Sequence, residues 1–230
     1  MKASKHARQK APARAKEQPR ITPLWLDDLR DATEREVLDA ARVDGARLTD
    51  CDLSGVDLEG LHAAETLWHG VRLHETRLDR ATFLETRFER LDAPVLQSRR
   101  STWREVELVD SRIGSGELYD AELRTVHVSG CRMGYLNLRD AVLTDVLIED
   151  STIDELDLAG ARATRVALRG CRVGALVLSR AVLTHVDLRG VEGLSRVEGI
   201  DGLRGATITP EQLALLAPLL AEHVGLQVRE

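Results

Sequence analysis

The chain has 230 residues, 43% of them hydrophobic but only 3% aromatic, and carries 38 acidic against 32 basic side chains for a formal charge of −6. That length holds one or two domains with a sizeable core, filled by small and medium aliphatic side chains rather than rings. No stretch approaches the ~18 uninterrupted apolar residues of a membrane span, which excludes an integral helical membrane protein.

The charge is unevenly distributed. All four lysines lie in the opening MKASKHARQKAPARAK, and residues 1–20 hold seven Lys/Arg against Glu17, so this segment carries +6 and the remainder −12. Polar, without apolar periodicity, residues 1–20 are expected to be a disordered basic tail, either merely solvated or in contact with nucleic acid or another polyanion. The tail lacks the apolar run of a secretory signal, which places the protein in the cytoplasm. Residues 21–40 are expected to form an N-terminal cap, helical or irregular, that includes Trp25 and Leu29.

From Val43 to Leu188, stepping by five gives thirty positions without a register break; 26 are Val, Leu, Ile, Met, Phe or Trp, three are Ala63, Ala93 and Ala163, and the polar exception is Ser98. A second series two residues earlier, Ala41 to Val186, contains only Ala, Val, Leu, Cys, Thr, Ser and Gly. At 30% charged composition, on the order of eighteen of these sixty positions would be charged by chance, and none is. Both series therefore point away from water, and the other three positions of each five face out.

A longer period is also present, because the smaller inward series repeats as Cys131, Leu136, Ala141, Val146, then Ser151, Leu156, Ala161, Val166, then Cys171, Leu176, Ala181, Val186. Fixed-period self-similarity marks a stacked repeat. Four fives make one unit, and the simplest geometry is a square coil of four short extended sides joined by tight turns, with successive coils stacked as parallel strands.

CDLSG at 51–55, VDLEG at 56–60, LDLAG at 156–160 and VDLRG at 186–190 resemble the motif of the pentapeptide-repeat proteins, approximately Ala-Asp/Asn-Leu-X-X. The resemblance covers residues 41–207 and implies an all-β solenoid, a right-handed quadrilateral parallel β-helix of about seven to eight coils, followed by a short C-terminal α-helix in 208–230. At a strand spacing of about 4.8 Å, residues 41–190 form a rod roughly 36 Å long.

Stacking every twenty residues puts Cys51, Cys131 and Cys171 on one inner face, the nearest pair two coils apart and beyond the ~7 Å limit for a disulfide. They read as buried small hydrophobes. His62, His69, His74, His127 and His185 fall at outward positions, and no phosphate loop, nucleophile elbow, paired carboxylates or metal-ligand spacing survives the repeat explanation. No catalytic residue, cofactor or metal is expected.

The segment TPEQLALLAPLLAEHVG offers a C-terminal cap, with Thr209 as N-cap, Pro210 in the first turn, Gln212 closing a capping box, Gly225 as the stop and a kink at Pro218. Leu213, Leu216, Ala217, Leu220 and Val224 form one apolar stripe suited to the last coil. Leu215 and Leu219 form a second, which either meets a second copy in a homodimer or packs within one chain. In the block 91–110, Ala93, Pro94, Ser98 and Trp103 indicate a local distortion; Arg99 and Arg100 on its surface mark either a packing irregularity or a recognition spot. Arg112, Arg132 and Arg172 form a column that is either a recognition surface or a solvated ladder paired with neighbouring acids.

The best-known members of the resembled family, the quinolone-resistance pentapeptide proteins, mimic duplex DNA and act on DNA gyrase. Duplex DNA of this length carries on the order of 21 negative charges. Residues 41–190 hold 25 Asp/Glu and 20 Arg, and acids against arginines on the four sides come to seven and five, five and four, seven and six, six and five. No side is strongly acidic. The leading expectation is a non-catalytic, rigid interaction scaffold for a protein partner, homodimeric through its C-terminal helix; the alternatives are a gyrase-directed DNA mimic and nucleic-acid contact through the basic tail.

Overall fold

The computed structural model describes residues 17–39, 41–227 and 229; the basic tail up to residue 16 lies outside the described residues. The repeat folds as a four-sided parallel solenoid. A ten-stranded sheet runs down two adjacent sides and an eight-stranded sheet down the other two. Every pairing in the regular part is parallel with a register of twenty, as in Val126, Val146, Val166 and Val186 on the first sheet and Ile113, Met133, Ile153 and Val173 on the second. The short strand Arg30–Asp31 adds to the first rung, and Ala206–Thr207 follows the last. The stack makes about nine turns, slightly more than the seven to eight expected, because these terminal segments extend the ladder beyond the strict repeat.

The corners explain the period. Seventeen non-glycine residues with φ between 47° and 62°, from Asp50 to His185, and seven glycines from Gly45 to Gly170 all fall on multiples of five. A left-handed residue after each extended side turns the chain through the corner. The inward residues between corners are shielded on all sides, which is why neither inward series tolerates a charge. Asp or Asn at the second motif position also has a local cause: Asp52, Asp57, Asn137, Asp157 and Asp187 each accept, through the side chain, the backbone N–H two residues ahead.

One corner changes type along the rod. After the third side, Gly55 and Glu75 are left-handed, but Val95, Ser115, Tyr135, Glu155 and Ala175 are not. Before residue 92 the second sheet is largely isolated bridges, Asp52 with Arg72, Asp57 with Arg77 and Arg72 with Asp92. From Asp92–Gln97 onward it runs as continuous strands of six or seven residues. The distortion expected in 91–110 is this switch. Gly114 and Gly134 then lie close to the carbonyls of the coil before them, since a Cβ at Gly134 would stand 2.4 Å from the Gly114 carbonyl oxygen and one at Gly114 2.4 Å from that of Pro94.

The rings cluster inside the same region. Trp68, Phe83, Phe88 and Trp103 are buried with centroids 4.8–6.3 Å apart. Their polar atoms are satisfied: Trp68 Nε1 donates to Thr66 Oγ1 at 3.0 Å and Trp103 Nε1 to Ser101 Oγ at 2.8 Å. Ser98, the inward polar exception, is fully buried and donates to Ser101 Oγ at 2.9 Å. Burying these groups therefore leaves no orphaned donor.

Helix α1, Glu34–Asp39, closes the first rung with Val37 buried in the core. Trp25, expected within the cap, is instead 79% exposed. Helix α2, Pro210–His223, closes the other end with the expected Thr209/Gln212 capping box, and the helix continues through Pro218. Its seating differs from expectation. Leu216 is the residue buried; Leu213 and Val224, assigned to the covering stripe, are exposed. The Gln212 amide does the rest, donating to the carbonyls of Leu188 at 2.8 Å and Val191 at 2.9 Å.

Candidate interaction surfaces

Residues twenty apart stack, so opposite charges twenty apart pair along the rod. Asp52 with Arg72, Asp57 with Arg77, Asp79 with Arg99, Arg87 with Glu107, Asp145 with Arg165 and Glu149 with Arg169 all form ion pairs. This ladder absorbs one of the candidate arginines. Arg99 is held by Asp79 in a two-pronged pair, with Nε 2.8 Å from Oδ1. Burial pushes the Asp79 carboxyl up, but the Arg99 hydrogen bonds and charge outweigh it and leave it below its ordinary value. Arg100 is looser, 3.8 Å from Asp120.

Arg112, Arg132 and Arg172 lie where the column was expected. Arg112 and Arg132 are direct neighbours in register, and Thr152 separates Arg132 from Arg172. All three are exposed. Among the described residues none has a carboxylate within ion-pair distance, so the ladder expected to pair with neighbouring acids is unpaired. Beside them Gly114 and Gly134 add no side chain of their own.

Leu215 and Leu219 are 72% and 39% exposed. Together with Leu194, Val197 and Leu216 they line an open groove of about 400 Å³ between α2 and the segment 189–197. Apolar atoms left in water on a short terminal helix are a costly arrangement for an isolated chain.

Cys51, Cys131 and Cys171 are free and buried, and burial pushes the Cys131 thiol up to about 11. His69, His127 and His223 stand 3.6, 3.0 and 2.8 Å from Glu89, Glu149 and Asp201 on the surface. No group of three or more metal-ligating side chains occurs among the described residues, and no described helix is long and apolar enough to cross a membrane.

A surface element that the repeat did not announce is the segment 17–29. It lies outside the solenoid, against the ten-stranded sheet, and runs back along the rod. Gln18 Oε1 accepts from Arg169 Nη2 at 2.8 Å, Arg20 N–H donates to Asp145 Oδ1 at 3.0 Å, Leu24 N–H donates to Glu107 Oε1 at 3.1 Å, and Leu24 O accepts from Arg87 Nη2 at 3.2 Å. Residues 17–20, assigned to the tail, thus lie on the rod.

No family model matches the chain, and no curated protein matches it. Among solved structures it is similar to a trypsin-treated form of QnrB1, a plasmid-mediated fluoroquinolone resistance protein, at 20% identity over 82% of this chain and 90% of that one, with a TM-score of 0.38. A second trypsin-treated QnrB1 gives 18% identity over 86% and 95%, with a TM-score of 0.40. HetL, a pentapeptide repeat protein involved in heterocyst differentiation regulation from the cyanobacterium Nostoc sp. strain PCC 7120, gives 18% over 72% and 90%, with a TM-score of 0.24. Likeness at this level says nothing of activity, and the architecture rests on the chain's own backbone. Five-residue sides, left-handed corners and a register of twenty make this chain a four-sided parallel β-solenoid.

Proposed function

We propose that the chain is a non-catalytic, cytoplasmic interaction scaffold, a rigid mixed-charge rod that dimerises through its C-terminal helix and presents its sides to a protein partner. The carrying observation is the exposed Leu215 and Leu219 beside the groove under α2, which Leu194, Val197 and Leu216 line together with Arg189, Glu192 and Arg196. A second copy of α2 is the self-complementary filling a two-fold interface requires. Light scattering after size exclusion tests this. The wild type is expected at twice the chain mass and L215E/L219E at the chain mass; a wild-type monomer at all concentrations overturns the dimer.

The gyrase-directed reading requires a rod that competes with DNA. An unpaired column of Arg112, Arg132 and Arg172 opposes entry into a DNA-binding groove. The scaffold reading therefore expects no inhibition of gyrase supercoiling and no protection from a quinolone; either effect reverses the preference. Contact through the basic tail predicts salt-sensitive nucleic-acid affinity that disappears on deleting residues 1–16.

A further inference from the structure

We propose that the face covered by residues 18–26 is a peptide-binding groove that the chain fills with its own strap, and that its occupant in a complex is an extended apolar segment of the protein partner. The proposal deepens the scaffold reading above and rests on it for the existence of a partner. Three observations carry it. First, Leu147 and Ala167 occupy outward positions, where the repeat elsewhere favours polar residues, yet are 8% and 1% exposed. They lie two residues from Asp145 and Arg169, the groups that hold Arg20 and Gln18. The floor beside the strap's anchors thus carries an apolar patch, Leu147 and Ala167, flanked by the charged groups that hold the strap.

Second, the polar groups that grip the strap are set in advance. Asp145 is held by Arg165 at 2.6 and 2.7 Å while it accepts the Arg20 N–H, and Glu107 is held by Arg87 at 2.7 Å while it accepts the Leu24 N–H. Neither carboxylate needs the strap to be placed. Both read main-chain N–H groups, so the contacts accept any sequence that lies extended with apolar residues where Ile21, Leu24 and Leu26 sit half-buried.

Third, the strap is separable from the solenoid. Its contacts are side chain to main chain or side chain to side chain, with no ladder to a strand edge before Arg30. Asp28, at the junction, holds φ at 54°, a single left-handed residue that turns the chain from the strap into the first rung. A covalently tethered strap acts at an effective concentration of about millimolar. A partner segment of the same chemistry enters only by binding more tightly or after the strap is released.

The test uses the full chain with a site-specific protease sequence inserted between Leu29 and Arg30, and a fluorescent peptide of residues 17–29. Cleaved chain that keeps its circular dichroism is expected to bind the peptide saturably, and uncut chain roughly a hundredfold more weakly, because the tethered strap competes. E107Q/D145N in the cleaved chain is expected to weaken binding at least about tenfold, from the loss of two charge-assisted hydrogen bonds. No binding to folded, cleaved chain at about 1 mM peptide, or equal binding to cut and uncut chain, overturns the groove. Loss of the solenoid on cleavage also overturns it, since the strap is then part of the fold. Disulfide-linked dimers formed between R20C on one copy and D145C on another would assign the groove to a second copy and overturn the partner assignment. None of these readouts depends on Leu215 or Leu219, so failure here is distinct from failure of the helix-mediated dimer.

Discussion

Replacing Ser98 by leucine separates the repeat pattern from the packing. By the pattern, Ser98 stands where most inward positions of this series hold a large aliphatic residue, and three more buried carbon groups would add about 2.4 kcal/mol of stability. The structure argues the reverse. Ser98 is fully buried, its hydroxyl bonds Ser101 Oγ, and Ser101 in turn anchors Trp103, whose ring packs on Phe83 and Phe88 at 4.8 and 5.4 Å. The large rings fill the space that a leucine takes in other coils. Overpacking costs about 1–3 kcal/mol and the lost hydrogen bond about 1 kcal/mol. S98L is therefore expected to lower stability by about 2–4 kcal/mol, a fall in Tm of about 5–15 °C for a chain of this size. Thermal melts followed by circular dichroism read this directly. In a double-mutant cycle with W103L, the two changes should couple favourably by about 1–2 kcal/mol, because the leucine recovers room vacated by the indole. A single S98L variant that melts at or above the wild type would refute the packing argument.

Other expectations follow from the described geometry. G134V should destabilise more than a surface valine elsewhere, because its Cβ would meet the Gly114 carbonyl oxygen at 2.4 Å; urea unfolding measures the difference. T209A removes the capping box and should cost about 1 kcal/mol in the helix it starts, seen as earlier exchange of α2 amides. The buried thiols, with Cys131 pushed up to about 11, should not react with a disulfide reagent at pH 8 until the chain is unfolded, when all three react. Burial raises the Asp145 carboxyl, but its bonds from Arg165 and the Arg20 N–H outweigh this and leave it below the ordinary aspartate value of 3.8. Its contribution is thus present above that value and lost as pH falls through the lower folded one. Protection of the Arg20 amide from hydrogen exchange should be flat from neutral pH down to about pH 5 and vanish only in stronger acid.

The solenoid was legible because burial imposes a rule on every fifth residue, and a run from Val43 to Leu188 without a charge has no other explanation. The capping box at Thr209 was legible for a similar reason, since its chemistry is local. What escaped was made by outward side chains, which the repeat leaves free. The strap has no five-residue period, and its partners Glu107, Asp145 and Arg169 look like ordinary surface charges. The pairing of Arg99 was within reach: the stacking rule that placed the cysteines also sets Asp79 twenty residues before it. The same rule left Arg112 and Arg132 facing each other rather than an acid. The change of the third corner had a signal in Gly114, Gly134 and Gly174, three glycines twenty or forty apart on one side. The seating of α2 was misread because an amide, Gln212, replaced the apolar stripe that hydropathy alone selects.

Because the strap runs the length of the solenoid, Glu17 and Gln18 share a surface cleft with His185, Gly205 and Thr207, beside the coil that α2 covers. Both ends of the described chain therefore leave the rod from the same end. A pull applied between them would not unstack the coils in order. It would load the strap and α2 together, and on the strap side it would peel residues 17–29 away, contact by contact, toward α1 before reaching the first rung. Tethering either end to a surface would hold the rod by one extremity and leave the other, with its small helical lid, standing free.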